Sequence, residues 1–215
     1  MLEYPVKYGI WLVQVEQDNR GDPAFEGSIG ARAEALRLAR LAIATYLQTA
    51  QIKIRRSSAP LLCRCAGVFV TIRSETTGHE PRSSAALRGC IGTLRTDRPL
   101  YRTIQETAVR AATSDPRFPP VQIRELSRIN LEISILSRSE PVRDLEQIII
   151  GEHGLMIVED DRRAILLPQV ATNHGWTVEE FVRNLRFKAG LPTGVRQRAS
   201  TLAMFRATVI EERPS

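Results

Sequence analysis

The run "INLEISILS" constrains this chain more than any other stretch. Ile129, Leu131, Ile133 and Ile135 alternate with Asn130, Glu132, Ser134 and Leu136. Successive side chains on a strand point to opposite faces, so this segment predicts a strand with one wholly aliphatic face. That face requires a hydrophobic layer to cover it, and two segments have the period of a covering helix. In "ARAEALRLARLAIATYLQ", residues 31–48, Ala35, Leu38, Ala42 and Tyr46 recur at spacings of three and four, with Leu36 and Leu41 widening the stripe and Ser28 placed to cap the start. The second helix begins after Asp97 at Pro99 and runs to Ala112, with Leu100, Ile104, Ala108 and Ala111 as its apolar face. It must stop at "SDPRFPP", because its prolines cannot continue a helix.

Other segments follow the same grammar. "APLLCRCAGVFVTI" reads as a buried strand, and "LRGCIGTL" as the next strand of a hairpin with a long connection. "GLMIVEDDRRAILLP" is two short apolar runs about a charged turn. "TVEEFVRNLRFKAGLP" carries a capping box, Thr177 with Glu180, and a stop at Gly190. "TLAMFRATVIEE" reads as one closing strand. Strands and helices mix without regular alternation, which predicts an α+β fold rather than a doubly wound sheet. Residues 1–30 differ in texture and read as an accessory extension, with the domain proper at 31–215.

Composition excludes several classes. No apolar run reaches the roughly 20 residues of a membrane helix. The opening "MLEYPVKYGI" lacks the basic start and apolar stretch of a signal peptide, so a cytoplasmic location is expected. A net charge of +6 invites nucleic acid, but the arginines are scattered and interleaved with acids, as in "IRELSR" and "EDDRR", and no binding motif accompanies them. The three cysteines, Cys63, Cys65 and Cys90, fit a reduced compartment rather than a disulfide framework. Cys63 and Cys65 fall in an apolar run and read as small core residues on one face of a strand. Zinc would need two further ligands, and no second pair supplies them. No metal site and no nucleotide cofactor are expected, since no Walker, GxGxxG, HExxH or GxSxG pattern occurs.

Four stretches carry more polar detail than packing demands. In "LRGCIG", Gly89 and Gly92 flank Cys90, which is either an exposed thiol near a cation or part of a glycine-framed bulge that packs. Arg88 adjoins Cys90 in sequence, with Arg117 as the alternative cation. In "SDPRFPP", Asp115 reads as a turn residue, Phe118 as an anchor and Arg117 as an anion clamp, or else Asp115 and Arg117 hold the loop together. Glu132 and Ser134 are polar on a strand that solvent alone would also explain. His153, before Gly154 at a strand entrance, is either a general base paired with Cys90 or a solvated turn histidine.

Taken in order, "LRGCIGTL", "AATSDPRFPPV", "LEISILS", "GEHGLMI", "LLPQVATNHGW" and "EEFVRNLRFKAGLP" resemble the AMMECR family, the AMME chromosomal region proteins, whose prokaryotic members are called AmmeMemoRadiSam system protein A. The resemblance covers residue 31 to the C-terminus. It implies two closely packed subdomains with the "LRGCIG" motif in a cleft, and a link to a Memo-type protein and a radical SAM protein. It implies no established activity. Carried over by position, it marks Arg88, Gly89, Cys90, Gly92, Asp115, Arg117, Phe118, Glu132, Ser134, His153, Gln169, Trp176 and Lys188. Two readings follow: an enzyme using Cys90 with His153 and Glu132 on a small molecule or protein, or a ligand-binding or adaptor module for the system partners.

Overall fold

The computed structural model describes residues 28–74, 86–94, 97–192 and 201–212. The expected extension at 1–30 falls almost wholly outside them, as does most of the loop before "LRGCIG". The described chain divides into two compact units, residues 28–136 with 208–212, and residues 137–207.

The first unit opens with α1 (Ile29–Thr49), which starts where the Ser28 hydroxyl accepts from the Ala31 amide at 3.4 Å and ends at Ala50 in the left-handed region. A 3-10 turn (Pro60–Cys63) leads to β1 (Val68–Ser74), β2 (Leu87–Thr93), α2 (Leu100–Thr113), a second 3-10 turn (Ile123–Arg128) and β3 (Ile129–Leu136). The last strand, β8 (Ala207–Glu211), returns to this unit, and the sheet order is β2-β1-β3-β8. The apolar faces pair as their periods demand. Val68, Val70 and Ile72 of β1 and Leu131 and Ile133 of β3 are buried with Leu38 and Ile43 of α1 and Leu100, Ile104 and Ala108 of α2 in one core. Full burial of each large aliphatic side chain contributes roughly 1.5–3 kcal/mol.

The second unit holds β4 (Glu140–Pro141), a 3-10 turn (Leu145–Gln147), β5 (Gly154–Glu159), β6 (Arg162–Leu166), α3 (Pro168–His174), α4 (Val178–Lys188) and β7 (Thr201–Phe205), with sheet order β4-β7-β5-β6. Its core is Leu155, Ile157, Ala171, Phe181 and Leu185. The capping box at Thr177 and Glu180 forms in both directions, and Gly190 takes φ 69° just past the helix. The α+β expectation holds: helices accompany two four-stranded sheets.

Three local expectations are corrected. Cys63 and Cys65 are exposed, not core, because Pro60 starts a 3-10 turn and β1 begins only at Val68. The apolar run contributes Leu62 and Ala66 to the core instead, so the cysteines fall on the outer side of the turn. "TLAMFRATVIEE" is two strands in two different sheets, broken at Arg206, since alternation alone does not say which sheet a strand joins. Ser134 is not solvent-facing: it is 1% exposed, and Leu136 on the same side is buried too. The short helix α3 was not anticipated; seven residues between a proline and a glycine leave too little periodicity to read.

Candidate functional site

The first unit holds nine of the thirteen candidate residues, four on β2, three in the loop after α2 and two on β3. β2 lies at the edge of its sheet and pairs antiparallel with β1, which pairs antiparallel with β3. The register sets Cys90 opposite Thr71 and Thr71 opposite Glu132, one row across three strands. The next row on the same face is Gly92, Phe69 and Ser134. Strand alternation sends Gly89, Ile91, Val70, Ile72 and Ile133 to the opposite, helix-covered face.

The two glycines have separate physical reasons. A Cβ at Gly89 would be driven into the Ala111 carbonyl oxygen, so glycine lets α2 lie close against β2. A Cβ at Gly92 would collide with the Phe69 ring, which lies over it. A bulge is present, but it falls at the other end of the strand: Ile72 faces Gly89, while Arg73 faces Leu87, and the register slips past Arg88.

Asp115 and Arg117 occupy the open edge of β2 at Cys90. The Cys90 amide donates to Asp115 Oδ2 at 2.8 Å, and its carbonyl accepts from Arg117 Nη2 at 3.3 Å. The two side chains bind each other, Arg117 Nη2 to Asp115 Oδ2 at 2.6 Å and Nε to Oδ1 at 3.0 Å, and the Arg117 amide adds a bond to Oδ1 at 3.1 Å. They satisfy the donor and acceptor that a neighbouring strand would otherwise take. The Phe118 ring lies 5.3 Å from the Arg117 guanidinium, and its amide closes the turn onto the Asp115 carbonyl at 3.1 Å.

Arg88 fastens the same loop farther along. It donates to both Glu125 oxygens, at 2.8 and 3.1 Å, and to the carbonyls of Pro119 at 2.6 Å and Pro120 at 3.2 Å. Glu125 in turn accepts from the Gln122 amide at 2.7 Å. The hydrogen bonds from Arg88 hold the Glu125 carboxyl below its ordinary pKa against a smaller opposing effect of burial. At Asp115 burial works to raise the pKa, but the hydrogen bonds from Arg117 and the Cys90 amide outweigh it, and the carboxyl stays below the usual range. Both arginines therefore brace the loop against β2.

The Cys90 thiol is half-buried, and burial pushes its pKa up. The Thr71 hydroxyl, which donates to Sγ at 3.4 Å, and the charge of Arg117 pull the other way, while Asp115 and Glu132 add to the rise. The thiol is thus protonated at neutral pH. Beside this row the Ser134 hydroxyl is buried with no hydrogen-bond partner among the described residues, a costly state for a polar atom.

The remaining motif residues belong to the second unit, so no Cys90–His153 pair forms within either unit. His153 is buried, and its Nδ1 accepts from the Ile149 amide at 3.1 Å while its own amide donates to the Ile149 carbonyl at 3.0 Å. Burial first, and the Arg206 charge second, lower its pKa and favour the neutral ring. Gln169 is half-buried in the first turn of α3. Trp176 stacks on His174, ring centroids 4.6 Å apart, and lies tilted against Phe181. Lys188 Nζ donates to the Ile165 carbonyl at 2.9 Å, tying α4 to β6.

Reasoning from sequence missed Thr71, Phe69 and Glu125. The first two were legible: in "VFVTI" they alternate with the buried Val68, Val70 and Ile72, so they had to share the face of Cys90. Glu125 lay 37 residues from its partner Arg88, beyond any local signal. Among the described residues no cluster of three or more metal-ligating side chains occurs.

The AMMECR1 family model matches residues 36–210. The chain belongs to the AMMECR1 family. A protein of Thermofilum pendens is 42% identical over 177 residues, covering 77% of this chain and 82% of its own. A protein of Pyrococcus furiosus is 40% identical over 163 residues, covering 73% and 76%. Among solved structures, the uncharacterized protein PH0010 from Pyrococcus horikoshii superimposes with a TM-score of 0.75 at 34% identity, over 83% of this chain and 90% of its own. The segments "LRGCIG" and "SDPRFPP" are two sides of one assembly here, an edge strand and the loop that seals it.

Proposed function

We propose that this AMMECR1 chain is a recognition module whose Cys90–Thr71–Glu132 row, with Ser134 beside it, binds a small polar ligand without covalent chemistry at the thiol. The observation that carries the reading is the Ser134 hydroxyl, 1% exposed and without a hydrogen-bond partner among the described residues. A buried hydroxyl left unsatisfied costs about 1–3 kcal/mol, which a ligand group recovers by bonding to it. A ligand with an N–H or ammonium group suits the carboxylate of Glu132, and the protonated thiol supplies a weak donor. The loop braces keep the row rigid, which lowers the entropic cost of binding.

The module acts, in this reading, within an AmmeMemoRadiSam system, presenting its ligand to a Memo-type protein and a radical SAM protein. The enzyme alternative makes Cys90 a nucleophile, and the raised thiol pKa counts against it. Native mass spectrometry of the chain incubated with the polar small-molecule fraction of a cell extract separates the two. A non-covalent mass addition that persists in Cys90→Ser and is lost in Glu132→Gln is the expected result. A covalent addition mapped to Cys90 overturns the recognition reading in favour of the enzyme.

A further inference from the structure

The face that carries Thr71 and Glu132 continues one row beyond them. Residues of β1 alternate, Val68, Val70 and Ile72 into the core and Phe69, Thr71 and Arg73 to the other side. The register of β1 with β3 sets Arg73 opposite Asn130, as it sets Thr71 opposite Glu132 and Phe69 opposite Ser134. The slip past Arg88 lies on β2 and leaves this pairing intact. Directly opposite side chains have Cβ atoms about 4.5–5.5 Å apart. Arg73 and Asn130 are therefore neighbours on the face that holds Glu132 and Ser134.

Both residues are half-buried, and neither side chain makes a hydrogen bond or ion pair with a described residue. The arginines nearby differ: Arg88 is taken up by Glu125 and Arg117 by Asp115. A guanidinium beside a carboxamide offers several N–H donors together, which suits a carboxylate. A solvated arginine near a strand end looks the same taken alone. The Ser134 hydroxyl on the same face, 1% exposed and without a partner among the described residues, is the independent mark of a ligand there. Arg73 and Glu132 are diagonal neighbours, about 7–8 Å apart and within reach of long side chains. One small ligand that carries both charges meets both residues.

We infer that Arg73 and Asn130 form an anion subsite of the ligand face, and that the ligand is a zwitterion of the α-amino-acid class. The inference rests on the recognition reading above and adds the chemistry of the ligand. The carboxylate meets Arg73 and Asn130, the ammonium meets Glu132, and the side chain extends toward Ser134 and the Phe69 ring. Successive rows lie about 6–7 Å apart along the strands. Their order, N–H donors, then carboxylate, then hydroxyl and ring, is the order of groups along an amino acid from its carboxylate through its ammonium to its side chain.

The test is calorimetric titration of the full chain with each of the twenty standard L-amino acids, then with the methyl ester and the N-acetyl derivative of any that binds. The expected result is at least one amino acid bound one per chain, with the ester and the N-acetyl derivative each weaker by at least about tenfold. Arg73→Gln should weaken the amino acid by about tenfold or more while changing the ester little. Arg73→Lys should keep part of the affinity, since it retains the charge and loses the planar fork. Melting curves of Arg73→Gln should match the parent, because no described residue bonds to that side chain. Binding of no amino acid, or binding by Arg73→Gln equal to the parent's, overturns the inference. In the native mass spectrometry above, an addition lost in Glu132→Gln but kept in Arg73→Gln overturns this inference and leaves the recognition reading standing. A covalent addition at Cys90 overturns both.

Discussion

At the residue scale the account turns on Asp115, a side chain that does a backbone's work. It takes the Cys90 amide while Arg117 takes the Cys90 carbonyl. Asp115→Ala leaves that amide without its acceptor and takes the carboxylate partner from the Arg117 guanidinium, and should cost about 1–3 kcal/mol in urea unfolding. Arg117→Ala should cost less, because its side chain is 40% exposed and water replaces what it loses. Ser134→Ala should have the opposite sign: removing an unsatisfied buried hydroxyl should leave stability unchanged or raise it by about 1 kcal/mol, while weakening ligand binding. A marked loss of stability in Ser134→Ala would mean that the hydroxyl is satisfied within the fold.

At the scale of elements, the sequence disclosed most where one period ran unbroken. The strict alternation of β3 placed Ile129, Leu131, Ile133 and Ile135 in the core and the spacing of α2 placed Leu100, Ile104, Ala108 and Ala111, because burial of one face is what those periods encode; in α1 it found Ala35, Leu38 and Ala42 but missed Ala39 and Ile43 and took in Tyr46, which is only half-buried. Where elements are short or the chain changes sheet, periodicity carries no signal, which is why α3 and the break at Arg206 escaped notice. Cys63 and Cys65 misled for a related reason: they stand in an apolar run, but Pro60 sets a turn in which Leu62 alone faces inward. The glycines give this scale its prediction. Gly89→Ala must push α2 from β2 at the Ala111 carbonyl and should destabilise by about 1–3 kcal/mol. Gly30→Ala, with nothing within 4 Å of the added carbon in α1, should stabilise by about 0.5–1 kcal/mol. Thermal melts of the two variants that moved in the same direction would contradict the packing described for β2.

At the scale of the molecule, the two units hold the motif residues by different means. In the first, the chain's end closes the sheet: Glu212 accepts from the Leu131 amide at 2.8 Å and pairs with Arg40, whose guanidinium also reaches the carbonyls of Leu126 and Ile129. In the second, buried His153 braces its own turn as a neutral ring. Its pKa is lowered on folding, so the unfolded chain takes up that proton first as pH falls. The stability it supports is complete above about pH 6.5, the value of a free histidine, and declines below it. His153→Asn, which keeps an acceptor for the Ile149 amide, should flatten the decline between pH 7.5 and 5.5 in urea midpoints. An unchanged slope would assign the acid sensitivity elsewhere.

The central claim, that the AMMECR1 edge strand presents Cys90 as a neutral thiol for recognition, is most directly tested by native alkylation of all three cysteines with iodoacetamide across pH 6–10, followed by peptide mapping. The account predicts that Cys90 reacts more slowly than the exposed Cys63 and Cys65 at neutral pH, and that its rate rises only above the usual thiol range of about 8.5. Cys90 reacting fastest of the three, with a midpoint below neutrality, would contradict it.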